Sequence, residues 1–317
     1  MAVTGRSPVQ IREAGLFFYF LAKLLILIPI TPHTEMSREK RPKSYKEIIK
    51  IPKELIDYLP TSFDVIGDIA LVKIPENLLD YKKEIGKSFL KAYKNIKTVC
   101  NISPVSGELR TRSIEIIVGE EKTETIHKEY GASFKVDVEK TYFSPRLANE
   151  RKKIADQVKK DEIIVDMFAG VAPFPVVIAK HAGPKAIYAI EKNKDAVDFA
   201  KENIKINKLL DKIEIIKGDA KNTYEILSKK KVKADRIIMN LPFSAYLFFE
   251  EALKIAKKEC IIHYFDFLTA EELDERKVYL NEIAVNNSIQ ITNMFCEKVK
   301  SYSPREFYIR IDITVKK

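Results

Sequence analysis

Residues 142–174 read YFSPRLANERKKIADQVKKDEIIVDMFAGVAPF. In the second half of this run Ile163-Ile164-Val165 form an apolar strand pattern that ends on Asp166. Ala169-Gly170-Val171-Ala172 then supply a turn of small residues, and Pro173 opens another apolar stretch. A strand that turns this tightly into a helix is the usual neighbour of a nucleotide-like cofactor. The first half is polar and aromatic with no core periodicity, so the whole run predicts one continuous active-site wall.

Outward from this run the pattern alternates. Helical spacing at 149–159 leads into the strand at 162–166, and a helix at 173–181 precedes a strand at 186–191. A helix over 195–207, a strand at 213–217, a short helix near 222–227 and a strand at 236–240 follow. A helix at 245–257, a strand at 260–265 and a helix at 270–286 continue the series. Two strand-like runs, 290–299 and 306–315, end it as an antiparallel pair. Strands and helices alternating at this spacing predict a parallel sheet covered on both faces.

Upstream, the spacing predicts a helix over 46–59, strands at 62–67 and 69–74, and an amphipathic helix over 77–93. Short strands follow at 96–101, 112–118, 123–128 and 132–138. A parallel sheet finished by an antiparallel pair is the usual methyltransferase variation on the doubly wound fold, so the expected organisation is α/β: an N-terminal extension (1–39), a small α+β domain (40–138), and a class I, Rossmann-like methyltransferase domain (139–317).

Composition narrows the partners. The chain has 317 residues and a formal net charge of +10, which points toward an anionic partner, nucleic acid first. A Lys- and Glu-rich surface of the kind found in proteins from hot environments is the alternative, and the absence of Trp with only three Gln fits it. Cys100, Cys260 and Cys296 form no CxxC pair, and His33, His127, His181 and His263 form no metal-ligand spacing. Neither a disulfide framework nor a metal site is expected, and a reducing, cytoplasmic setting fits.

Residues 14–30 are apolar except for Lys23, marginal for spanning a hydrocarbon core of ~30 Å. They could be a signal or anchor, or translation could begin at Met36; the ordinary soluble sequence after Met36 favours the last, with no stable membrane association.

Three strand ends carry acids in order: Asp166, Glu191 and, after Gly218, Asp219. Ligands of doubly wound sheets bind outside such ends. The second acid can accept from ribose hydroxyls and the third from an adenine amine. One glycine, Gly170, stands in the turn, too few for the close backbone approach of a dinucleotide pyrophosphate. S-adenosylmethionine has no phosphate and tolerates such a turn. Beyond the fourth strand, Asn240-Leu241-Pro242-Phe243 places an amide and carbonyls where they could hold the edge of a planar heterocycle, with Phe243 or Tyr142 over its face.

Several blocks now combine: TYFSPRLANER (141–151), VDMFAGVAPF (165–174), IMNLP (238–242), IIHYF (261–265) and KSYSPRE (300–306), with VSGELRTR (105–112) and TIHKEYG (125–131) upstream. Over about residues 43–317 the chain resembles the archaeal and eukaryotic tRNA (guanine-37-N1)-methyltransferases, which use S-adenosylmethionine. The resemblance implies that Arg110 stabilises charge on guanine O6 and that Glu150 removes the N1 proton. It sets Tyr142 near the base and cofactor, and Asn240 and Pro242 around the guanine and methyl donor. Phe168, Glu191 and Asp219 match cofactor contacts, beside Asp166 and Gly170. Arg146 and Arg151 are expected to contact RNA phosphates or to hold Glu150.

The chain departs from the family pattern at Ala172, where a second glycine is usual. Its first 42 residues leave no room for the extra N-terminal domain of many archaeal members, so weaker discrimination against truncated tRNA is expected. The resemblance implies a monomer acting on tRNA with G37. Three rivals remain. Aminocarboxypropyl transferases on the same fold lack the Asn-x-Pro. A dual-function relative also methylates C7 of a tricyclic guanine derivative at position 37. The third is a non-catalytic RNA-binding protein.

Overall fold

A computed structural model of the chain describes residues 42–104, 107, 112–301, 303 and 305–317. The apolar stretch at 14–30, Met36 and Arg110 lie outside the described residues. Residues Lys43–Lys317 form one compact unit.

The first sheet has the order β1-β2-β3-β4, built from β1 (Phe63–Ile66), β2 (Ile69–Val72), β3 (Thr98–Ile102) and β4 (Ile114–Gly119). Helix α1 (Lys82–Ala92) crosses over between β2 and β3, which therefore run parallel. The helix expected over 46–59 is instead two 3-10 turns, Tyr45–Glu47 and Lys53–Tyr58. Pro52 separates them, since it has no N–H to donate and its ring clashes with a preceding helical carbonyl.

A separate hairpin follows, β5 (Glu124–Glu129) and β6 (Ala132–Asp137). Its outer edge is satisfied by side chains. On helix α4, introduced below, Asn203 Oδ1 accepts from Lys135 N–H (2.7 Å) and its amide donates to Lys135 O (3.1 Å). One turn on, Asn207 makes the same pair with Ser133 (3.0 and 2.7 Å). Positions i and i+4 of a helix lie ~6 Å apart, close to the two-residue repeat of a strand, so the two amides act as a substitute strand. These bonds join the hairpin to the larger sheet's helices, although it precedes the domain boundary expected at 138. On the other side, the β1–β2 turn presses on the hairpin so closely that a Cβ on Gly67 (φ +58°) would lie 2.1 Å from Thr125 Oγ1.

The remaining elements are α2 (Ala148–Gln157), β7 (Ile163–Asp166), α3 (Pro173–His181), β8 (Ala186–Glu191), α4 (Lys194–Ile206), β9 (Ile213–Lys217), α5 (Thr223–Ser228), β10 (Ala234–Met239), α6 (Phe249–Ile255), β11 (Ala256–Leu268), α7 (Ala270–Asn286), β12 (Gln290–Ser301) and β13 (Phe307–Lys316). Their seven strands form one sheet ordered β12-β13-β11-β10-β7-β8-β9. β13 runs antiparallel to both of its neighbours, and β7 through β11 are mutually parallel. The inner parallel strands are buried on both faces. Ile187 and Ala189 of β8 enter one apolar cluster, and Ile190 enters the other.

The helix expected to reach 257 ends at Ile255, and β11 starts at once at Ala256. Ten residues of β11, Glu259–Leu268, pair with β13, and that ladder outweighs the local helical spacing.

Candidate active site

The acids read at the strand ends converge on the carboxyl edge of the sheet. Asp166 closes β7, Glu191 closes β8, and Asp219 follows β9. Between β7 and α3 the chain turns through Gly170 (φ +54°) and Ala172 (φ +64°), both in the left-handed region. Gly170 N–H donates to Glu191 Oε2 and Asn193 N–H to Oε1, both at 2.7 Å. Burial raises the Glu191 carboxyl above its ordinary range, against the opposing pull of these backbone donors.

Asp166 is 1% exposed. Its Oδ1 accepts from Phe168 N–H at 3.1 Å, while Oδ2 has no hydrogen-bond partner among the described residues. Burial, with the Glu191 charge nearby, pushes its carboxyl up to about 7. Asp219 caps the next turn through Lys221 N–H (3.0 Å) and pairs with Lys192 (2.8 Å), which holds it below the usual carboxylate range.

Two cavities adjoin here. The narrower, about 90 Å³, is lined by Phe168, Gly170, Glu191, Asn193 and Asn240 among others. The wider, about 810 Å³, is lined by Pro242, Phe243, Phe267 and the cations Arg112, Arg146, Lys221 and Lys300. Tyr142, Phe143, Ser144 and Leu241 line both. The first has the donor set of a nucleoside-type cofactor. The second is basic and aromatic, as a nucleic-acid cleft requires.

Asn240 follows β10 directly, and its Oδ1 accepts from Tyr308 Oη at 2.5 Å. Phe243 N–H donates to Asp266 Oδ1 (2.8 Å), which also accepts from Phe267 N–H (2.9 Å). Arg276 (2.8 Å) and Tyr264 engage the other oxygen of Asp266. Asp266, fully buried at the end of β11, thus fixes the Asn-Leu-Pro-Phe turn. Sequence reading missed it, although it directly follows the IIHYF block.

Glu150 is 3% exposed and is not among the residues lining either cavity. Its carboxylate pairs with Arg310 and with Lys153 (3.0 Å). Arg310 also engages Glu297 (2.6 Å) and Asp312 (2.8 Å). Beyond Asp312 lies His263 Nδ1 (2.6 Å), whose Nε2 meets Arg236 at 2.7 Å. A guanidinium only donates, so Nε2 accepts and Nδ1 carries the proton to Asp312. Tyr308, Arg310 and Asp312 alternate along one face of β13, so a single strand carries the partners of Asn240 and Glu150. Their period-two spacing after the KSYSPRE block was the available signal.

The expectation that Arg151 contacts RNA is corrected. Arg151 is 1% exposed and forms a two-pronged pair with Glu129 (2.5 and 2.6 Å), with Phe143 and Phe174 beside its guanidinium. It also donates to Ser144 O at 3.1 Å, so it braces the cavity wall and is closed to a phosphate. Nor does it hold Glu150, whose partners are Arg310 and Lys153. Arg146 is partly exposed on the wider cavity, bonded to Asp64 (2.5 Å) and Ser62 (2.9 Å). Among the described residues no cluster could hold a metal ion, and no helix is long and apolar enough to cross a membrane.

Known proteins share this architecture. A family model described as the TRM5/TYW2 methyltransferase domain matches residues 125–292, and one described as the TYW2 N-terminal domain matches residues 45–123. The chain is 41% identical over 280 residues to a tRNA (guanine(37)-N(1))-methyltransferase, Trm5b, of Pyrococcus abyssi, covering 87% of this chain and 81% of that one. It is 35% identical over 251 residues to a tRNA(Phe) (4-demethylwyosine(37)-C(7)) aminocarboxypropyltransferase of Methanocaldococcus jannaschii, covering 79% and 96%. Among solved structures, Trm5b of Pyrococcus abyssi superposes with a TM-score of 0.78 at 40% identity, over 88% of this chain and 82% of that one. A complex of aTrm5 with tRNALeu gives 0.75 at 38% identity, over 88% and 79%. With a seven-stranded sheet, its acidic strand ends and these matches in agreement, the chain belongs to the TRM5/TYW2 methyltransferase family.

Proposed function

We propose that this protein transfers the methyl group of S-adenosylmethionine to N1 of guanine 37 in tRNA. One observation carries the reading. A cavity with nucleoside-type donors and acceptors, Asn240 on its wall, opens through Tyr142 and Leu241 into a wider basic and aromatic cleft.

The residues fit the cofactor. Glu191 suits ribose hydroxyls, the turn at Gly170 allows close approach, and the orphaned Oδ2 of Asp166 is an acceptor in need of a donor. Phe168 packs edge-on against Phe248 at 5.1 Å and offers an apolar wall. When bound, S-adenosylmethionine supplies an electrophilic methyl group.

The chain's own residues prepare the nucleophile. Guanine N1 carries a proton and is inert until that proton leaves. Glu150 is the general base in this reading, and Arg110 stabilises the charge that spreads to O6. Glu150 has to turn its carboxylate from Arg310 toward the base as tRNA enters. Apo geometry of catalytic groups is commonly looser than in the complex, so this is compatible with the role. Asn240 and Pro242 hold the base edge, Tyr142 its face, and Arg146 the backbone. The protein acts as a cytoplasmic monomer.

A second reading has support from a relative in Nanoarchaeum equitans, 32% identical over 300 residues and named a tRNA (guanine(37)-N(1))/4-demethylwyosine(37)-methyltransferase. In it the enzyme also methylates C7 of a tricyclic guanine derivative at position 37. The test uses labelled S-adenosylmethionine with tRNA carrying G37, A37 or the tricyclic base. Product on G37 alone supports the main reading, product on both guanine forms supports the second, and none on any tRNA refutes both.

A further inference from the structure

An aromatic column runs from the core to the wider cavity. Phe174 lies 5.7 Å from Phe265, Phe265 5.8 Å from Tyr308, Tyr308 4.6 Å from Phe267, and Phe267 4.9 Å from Phe243. The last pair is stacked at 21°. Phe243, the outermost ring, is 53% exposed in the cavity.

Its backbone has φ +72°, a conformation an aromatic residue adopts only when its surroundings impose it. Asp266 imposes it here by accepting from both Phe243 N–H and Phe267 N–H. The fold thus maintains an unfavourable backbone to present an apolar ring to solvent. Arg112, Arg146, Lys221 and Lys300 line the same cavity. Burial and the neighbouring Arg146 charge hold Lys300 below its ordinary range, so an incoming anion would relieve that repulsion.

We infer that Phe243 is a stacking platform for a nucleobase adjacent to the methylated guanine. The inference rests on the reading of the protein as a tRNA methyltransferase. The target has to sit where the two cavities meet, at Tyr142 and Leu241, and Phe243 lines only the wider one. A neighbouring base extends the column by one ring while its phosphate meets the cations. Stacking on an aromatic face tolerates every base, so the platform adds affinity with little sequence preference.

The test measures binding of tRNA to the wild-type chain, Phe243→Leu and Phe243→Tyr. The tRNAs are intact or carry an abasic nucleotide at 36, 37 or 38. Phe243→Leu should weaken intact tRNA by about 5- to 100-fold and Phe243→Tyr should restore it. Cofactor affinity should be unchanged. An abasic site at 36 or 38 should weaken the wild type by a similar factor and the Leu variant no further. The inference is overturned if Phe243→Leu binds normally, or if only the abasic site at 37 shares its penalty. It is overturned too if the penalties multiply at every position. Failure of the wild type to methylate any tRNA would be distinct, and would remove the functional reading and the inference together.

Discussion

Tyr308 Oη donates to Asn240 Oδ1 at 2.5 Å, from the strand that runs antiparallel beside β11. The bond turns the Asn240 carbonyl toward β13 and leaves its amide N–H groups as the donors presented to a ligand. Tyr308→Phe removes the hydroxyl and keeps the ring in the column. We predict a fall in kcat/KM of about 5- to 30-fold with little change in melting temperature, the scale of one oriented hydrogen bond. In an Asn240→Ala background the same change should cost nothing further. Multiplying losses would show that Tyr308 acts elsewhere.

Arg310 and Glu150 form a buried pair, and breaking one of these by removing a partner costs about 3–5 kcal/mol. Arg310→Met should therefore lower the melting temperature by roughly 10 °C. Adding Glu150→Gln should recover part of that, since it removes one of the three carboxylates left around the site. A double variant less stable than Arg310→Met would contradict this pairing.

Glu150→Gln alone, and Arg110→Ala, should lower turnover by about 100-fold or more while tRNA affinity stays within a few-fold, as for groups that act on the proton and its charge. Loss through weakened tRNA binding would argue against both roles.

The Asp166 carboxyl lies near 7 when folded, raised by burial from about 4 in an open chain. A raised carboxyl favours the folded state most below pH ~4, and that advantage is lost as pH rises through about 7. Glu191, raised in the same direction, adds to the effect. The cofactor-free protein should lose melting temperature between about pH 4 and 7. Asp166→Asn should flatten the slope and weaken cofactor binding by about 10-fold. Equal slopes in the two proteins would refute the assignment.

Ala172 sits at φ +64°, in the left-handed region that favours glycine. The left-handed conformation costs alanine about 1–2 kcal/mol, offset by glycine's freer unfolded chain and the loss of a buried methyl. These contributions nearly cancel, so Ala172→Gly should leave the melting temperature within about 2 °C of wild type. A fall of several degrees would mean that the methyl group's packing dominates.

The long periodic elements were legible in the chain. Helices α3 and α7 and strands β8 and β9 lie where spacing predicted, and in α3 and β8 burial writes the apolar pattern that marks them. The ordered acids Asp166, Glu191 and Asp219 were legible too, since strand ends mark where a doubly wound sheet binds ligands. Only tertiary structure decided the partners of the charged residues. Arg151 and Arg146 share one segment and one side-chain type, yet one is enclosed against Glu129 and the other lines a cleft. Sequence states a charge but not its dielectric surroundings, and pairing across 22 or 160 positions leaves no local period. For the run at 142–174, the sequence by itself determined the turn and its chemistry. The tertiary structure decided that Glu150 is held by Arg310, that Asn240 is oriented by Tyr308, and that Ala172 takes a glycine's conformation, because each depends on a strand 160 or 68 residues away or on a backbone angle.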